Sequence, residues 1–277
     1  MNESEVVATW ALRFVQAHDA DLNDALKRLQ KKPGATAPVH AVRKCLARFK
    51  ATLEDFASCL PLPDLYDLVG ELHKKSGRIR DADVMLERIE TYFESAGPEE
   101  CDELLPLHAE LRASRKATAR SLRRALGRNQ RRPRAMKGRV VPIDSELGAA
   151  EARYRILAVR TAETLASSSD FASGERLHAF RLATKRLRFA LERFAVALPQ
   201  FGTACEYLEA VGDELGTAHD LGALERLAAE RGARFVHARA ARDRAESIAR
   251  ADALWTHAVM GNGPLVPLIA YAGFGSV

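Results

Sequence analysis

Residues 177–194 read LHAFRLATKRLRFALERF, and residues 39–56 read VHAVRKCLARFKATLEDF. Laid one on the other, they superpose His40 on His178, Arg43 on Arg181, Arg48 on Arg186, Leu53 on Leu191, Glu54 on Glu192 and Phe56 on Phe194, with Lys50 meeting Arg188. Leu60-Pro61 then meets Leu198-Pro199 without a gap, and one residue of slip brings Gly77 and Asp81 onto Gly216 and Asp220. The chain reads as a tandem duplication of roughly half its length.

Both stretches have helical periodicity. With His178 at zero and about 100° per residue, Arg181 falls near 300°, Lys185 near 340° and Arg188 near 280°. Leu177, Phe180, Leu187, Leu191 and Phe194 cover about 160° to 260°. The bases therefore flank the apolar stripe instead of opposing it, which holds them where helices meet. The first copy repeats this with His40, Arg43 and Lys50, although Ala47 stands where the second has Lys185. Bases spread over some ten residues span about 15 Å of helix axis, too far for one small anion and well suited to a linear polymer of phosphates. Each contact would be charge-assisted, and an arginine can grip two oxygens at once. Taken singly, any of these bases reads as a solvated side chain or a stem covering apolar surface. Each histidine reads as an imidazole bonded to a backbone carbonyl. Recurrence at one phase favours the functional reading, because packing alone would keep the apolar face and not the bases.

The rest of the chain also reads as helix, rich in Ala, Leu, Arg and Glu, with breaks where Pro and Gly cluster. The pattern predicts helices over 3–31, 38–58, 64–95 and from SAGPEE to residue 127, then over 144–168, 174–197, 203–231 and 234–260. Gly77 in KKSGRIRDAD predicts a kink or break, and Asp81 and Asp220 read as helix caps rather than as partners of Arg80 or His219. The expected fold is all-α: two tandem four-helix bundles at 1–128 and 144–277, joined by a basic linker at 129–143.

The chain has 277 residues, is 47% hydrophobic and carries a formal charge of +5. That charge is uneven: from Arg112 to Arg139 there are twelve Lys or Arg and no acid. Such asymmetry points to a polyanionic partner. Arg112, Arg115, Lys116, Arg120, Arg123 and Arg124 share one side of the fourth helix, and residues 128–139 read as a basic arm. The four cysteines form no C-x-x-C pair and read as reduced core residues of a cytosolic protein. The acidic start, MNESEVVATW, is unlike a signal peptide, and PLVPLIAYAGF is too short and proline-rich to span a bilayer. No Gly-rich phosphate loop, metal-spaced carboxylate cluster or nucleophile–base pair is evident, so no enzyme, cofactor or metal is expected.

The two repeats, followed by GRIRDADV and GTAHDLGAL, resemble the signature of the CHAD family, the conserved-histidine α-helical domain. The resemblance runs from the first helix to ALWTHAVMG. It implies two four-helix bundles related by a pseudo-twofold axis, and a basic surface that binds inorganic polyphosphate. Carried over by position, the binding residues would be His40, Arg43, Arg48 and Lys50 with His178, Arg181, Lys185, Arg186 and Arg188. Ala47 departs from the pattern, so the second half is expected to bind more strongly. Lys74, Lys75, Arg78, Arg115, Arg120 and Arg123 are candidate secondary contacts. CHAD domains often accompany a triphosphate-processing domain whose strands carry Glu and Lys, and no such strands occur here. The implied function is binding without hydrolysis, in the cytoplasm and at polyphosphate granules, with granule-associated proteins as further partners. Two alternatives remain: a nucleic-acid-binding protein, against which the 6% aromatic content argues, and a helical scaffold.

Overall fold

The computed structural model describes residues 7–32, 35–128, 148–172 and 174–273. Its contacts divide the chain into two compact units, Met1–Ala149 and Ala150–Val277. Both are helical, with no β-strand among the described residues. The linker at 129–143 and the start of the helix expected from residue 144 lie outside the described residues.

The first unit comprises α1 (Val7–Lys31), α2 (Thr36–Asp55), α3 (Pro63–Phe93) and α4 (Pro98–Arg128). In α1 the buried positions Val7, Ala11, Val15, Leu22, Ala25 and Leu29 recur at helical spacing, and in α2 Val39, Val42, Leu46, Phe49 and Leu53 do the same. Pro63 and Pro98 open their helices, where a missing N–H costs nothing and the fixed φ is already helical. Each helix packs on the next in the chain. The pairing is antiparallel: Tyr66 at the start of α3 donates to Glu54 at the end of α2, while Gly77 further along α3 meets Arg43 nearer the start of α2. Likewise Phe93, at the end of α3, meets His108, and Asp83, earlier in α3, meets Arg115 later in α4. Trp10, Phe14 and Phe56 close one end of the core, with ring centroids 5.2–6.0 Å apart.

The second unit comprises α5 (Ala149–Ser167), α6 (Gly174–Phe194), α7 (Gly202–Glu230) and α8 (Arg234–Val259), with α6 packed on α7 and α7 on α8. Leu177, Phe180, Leu187, Leu191 and Phe194 are buried along α6, as their spacing predicted. Phe180 packs edge-on against Trp255 of α8 at 4.9 Å. A 3-10 turn, Pro199–Phe201, leads into α7. A short α9 (Val266–Tyr271) follows, beyond the helices that the sequence pattern predicts. Leu265, Leu268 and Ile269 are buried, and Tyr271 stacks edge-on against Phe201 and Tyr154.

Two expectations about helix breaks are overturned. α3 runs unbroken through Gly77, which is buried against the Arg43 side chain. Asp81 and Asp220 lie inside α3 and α7, so neither caps a helix. Helix propensity marks Gly as a breaker at a cost of about 1 kcal/mol, and a close tertiary contact overrides that local preference. The four cysteines are unbridged; burial, with Glu192 nearby, pushes the Cys205 thiol up to about 11. Among the described residues no helix is long and apolar enough to cross a membrane.

Candidate functional site

In the first unit, α2 presents His40 and Arg43 toward α3. The Arg43 guanidinium lies on the bare Cα of Gly77: a Cβ there would stand 2.5 Å from Nη1. One turn from Gly77, Arg80 stands near enough to act on His40. Burial pushes the His40 imidazole below its ordinary value, Arg80 pushes it further, Asp83 and Glu87 oppose this, and Arg43 adds a smaller push.

His40 Nε2 lies 3.7 Å from Oδ2 of Asp83, whose side chain is only 5% exposed. Arg115 of α4 donates through Nε to Oδ1 of Asp83, and its Nη2 donates to the Thr36 hydroxyl at 3.3 Å. A buried carboxylate is costly unless paired, and Arg115 supplies the charge that keeps it there. A chain of side chains thus runs from the first turn of α2 through α4 and α3 back to His40. The sequence offers Arg115 as a candidate secondary contact on the basic side of the fourth helix, and gives Asp83 no role. The signal was present: Asp83 shares its helix face with Ile79, Ala82 and Leu86, and an acid on a core face needs a partner.

The second unit brings the equivalent residues together, with Gly222 at the position aligned with Asp83. Arg181 of α6 lies beside Gly216 of α7, Nε being 3.7 Å from where a Cβ would be. His178 faces His219 with ring centroids 5.6 Å apart, and His219 Nδ1 is 3.3 Å from Asp220 Oδ1. Burial pushes His178 below its ordinary value, with His219 and Arg181 adding to the push. Lys185 is half-buried with Nζ 5.6 Å from the Phe189 ring centre, whereas its counterpart Ala47 is a core residue.

The remaining predicted residues stand apart from these clusters. Arg188 is only 12% exposed, bonded through Nη1 to Glu209 at 2.8 Å and 3.4 Å from Glu192. Lys50 lies 3.7 Å from Glu54 and over the Tyr66 ring. Arg48 and Arg186 are half-buried. Lys74, Arg78 and Arg120 are exposed, and Lys75 is paired with Glu71 on its own helix. The Arg123 side chain and the arm from residue 129 lie outside the described residues. Among the described residues no group of three or more His, Cys, Asp or Glu is arranged to hold a metal ion.

Two helical units, each with a histidine and an arginine of one helix set against a glycine and a further basic residue of the next, define an all-α class of protein. A CHAD domain family model matches residues 16–229, and the chain belongs to that family. No curated protein matches it. Among solved structures it is similar to PptA from Streptomyces chartreusis, with 15% identity, a TM-score of 0.74, and coverage of 91% of this chain and all of that one. It is also similar to the CHAD domain from the plant Ricinus communis, with 24% identity, a TM-score of 0.59, and coverage of 94% of this chain and 91% of that one. At these identities the likeness establishes the fold.

Proposed function

We propose that this protein binds inorganic polyphosphate and does not hydrolyse it, and that binding carries it to polyphosphate granules in the cytoplasm. The observation that carries the reading is the repeated contact: Arg43 on Gly77 beside His40 and Arg80, and Arg181 on Gly216 beside His178 and His219. Cations from two helices converge in each unit, and His178 to Lys185 span about 10 Å of helix axis, longer than a single phosphate group. Arg188, Lys50 and Arg115, held by carboxylates, serve the scaffold in this reading, so the working set is His40, Arg43 and Arg80 with His178, Arg181, Lys185 and His219.

Calorimetric titration with polyphosphates of graded length tests this. Affinity should rise steeply from tripolyphosphate to longer chains. Equal affinity for all lengths would sink the reading. Competition with DNA at matched phosphate concentration separates the nucleic-acid alternative, because polyphosphate should displace DNA and DNA should not displace polyphosphate.

A further inference from the structure

In the first unit the buried Asp83 carboxylate is an anion built into the chain. His40 stands 3.7 Å from one of its oxygens, and Arg115 of α4 donates through Nε to the other. One turn further along α3, Glu87 is a second acid close enough to act on His40. The duplication carries Asp83 onto Gly222 and Glu87 onto Arg226. On the aligned face, α7 therefore lacks both acids and carries a base.

The side chain that answers Arg115 in the second unit is Arg244 of α8. Its Nε would stand 3.2 Å from a Cβ on Gly222, and Nη1 of Arg226 would stand 3.7 Å from the same point. Two guanidinium groups thus meet over a bare Cα, at the position where the first unit has a carboxylate. Their pairing is incomplete. Arg244 donates through Nη1 to Glu225 at 3.2 Å, and Glu225 also lies 3.9 Å from His237. The Arg244 Nε is buried with no hydrogen-bond partner among the described residues. Arg226 is exposed and makes no hydrogen bond or ion pair with another described residue. One carboxylate against two guanidinium groups leaves the place cationic. A buried donor without an acceptor is costly and like charges repel, so an anion drawn between these two flexible side chains relieves both.

We infer that Arg226 and Arg244 hold a phosphoryl group of the chain over Gly222, in the place that Asp83 fills with its own carboxylate in the first unit. This subsite rests on the polyphosphate reading and lengthens the row of contacts in one unit only. Gly216, His219 and Gly222 follow one another at steps of three residues, about 4.5 Å of helix axis each, so the subsite continues the row that begins at Arg181 and His178. An internal phosphoryl has two non-bridging oxygens, one for each guanidinium. In the first unit the corresponding row ends at Asp83.

The test titrates long-chain inorganic polyphosphate into the full chain by calorimetry across a salt series. R226Q alters an exposed side chain and should keep its melting temperature, bind about tenfold more weakly, and show a salt slope shallower by about one phosphate. G222D installs the carboxylate of the first unit and should lose about as much affinity. The double variant G222D/R226Q should lose little more than either, because both changes empty one subsite. R242Q removes the same charge from an exposed residue about 200° around α8 from Arg244, and should leave affinity and slope at the wild-type values. If R226Q binds as wild type does, if R242Q loses as much as R226Q, or if the losses of G222D and R226Q add in full, the subsite is rejected while polyphosphate binding stands. If wild type does not bind, the polyphosphate reading fails and takes the subsite with it. R226Q against R242Q decides the matter even if G222D does not fold.

Discussion

At the scale of single residues, the two glycines that align in the repeats do different physical jobs. A Cβ on Gly77 would stand 2.5 Å from the Arg43 guanidinium, whereas on Gly216 it would find Arg181 at an ordinary 3.7 Å. In Gly77→Ala the flexible end of Arg43 must swing away, and alanine returns about 1 kcal/mol of helix propensity. The melting temperature should hold while polyphosphate affinity falls. Gly216→Ala should gain up to about 1 kcal/mol and keep its affinity. Thermal unfolding and calorimetry on both variants read this out, and a Gly77→Ala protein with unchanged affinity would remove Arg43 from the site. The histidines add a pH signature. His40 and His178 are both held below their ordinary value, so the free folded protein disfavours their protonated forms. A bound phosphate favours those forms, so binding takes up protons and strengthens as pH falls below about 6.5. The unfolded chain protonates first, so their contribution to stability is present above about 6.5 and is lost as pH falls through the lower folded values. Calorimetry in two buffers of different ionisation heat counts the protons. No uptake between pH 5.5 and 7 would mean that both rings are structural.

At the scale of elements, α6 separates the bases that offer charge from those that hold the helix. Reversing Arg181 and Lys185 to Glu leaves Phe180, Leu187, Leu191 and Phe194 in the core, and affinity should fall by about a hundredfold or more in a protein that circular dichroism shows to be helical. Arg188→Glu is a different change. It sets a third acid beside Glu192 and Glu209 in a nearly buried place, and should cost about 3 kcal/mol of stability by chemical denaturation. If it unfolds nothing and abolishes binding, Arg188 belongs to the site after all. From sequence these bases looked alike, because phase on one helix is legible and the partner across the interface is not. The apolar stripes of α1, α2 and α6 were readable because burial imposes a period. Gly77 was misread for the opposite reason: its local signal is that of a break, and the side chain that fills its space comes from α2. Asp81 and Asp220 followed the same error, since a cap is inferred from a helix start that does not exist. Asp83 was readable in principle, because an acid in phase with Ile79 and Leu86 is anomalous wherever it occurs.

At the scale of the whole molecule, the polyphosphate reading assigns the two units unequal numbers of cations. In the first, Arg115 is consumed by Asp83, and Ala47 lies in the core where the second unit has Lys185. In the second, Arg181 and Lys185 share α6 with His178, Asp220 lies beside His219, and Gly222 stands at the position aligned with Asp83. Each phosphate neutralised by a bound cation releases counterions, so the logarithm of affinity should fall linearly with the logarithm of salt, with a slope set by the number of phosphates engaged. Arg43→Gln and Arg181→Gln/Lys185→Gln remove charge from one unit each without introducing repulsion. Titrations across a salt series should show a shallower slope for both variants, and the larger flattening in the second. Neutral substitutions of exposed or half-buried bases cost little stability, so the comparison is not confounded by unfolding. A slope that stays at the wild-type value in both variants would place the bound phosphates elsewhere on the molecule, on bases outside the duplicated helices. Equal flattening per charge removed would mean that Ala47 and Asp83 do not weaken the first unit, and that the repeats remained equal in function after diverging in residues.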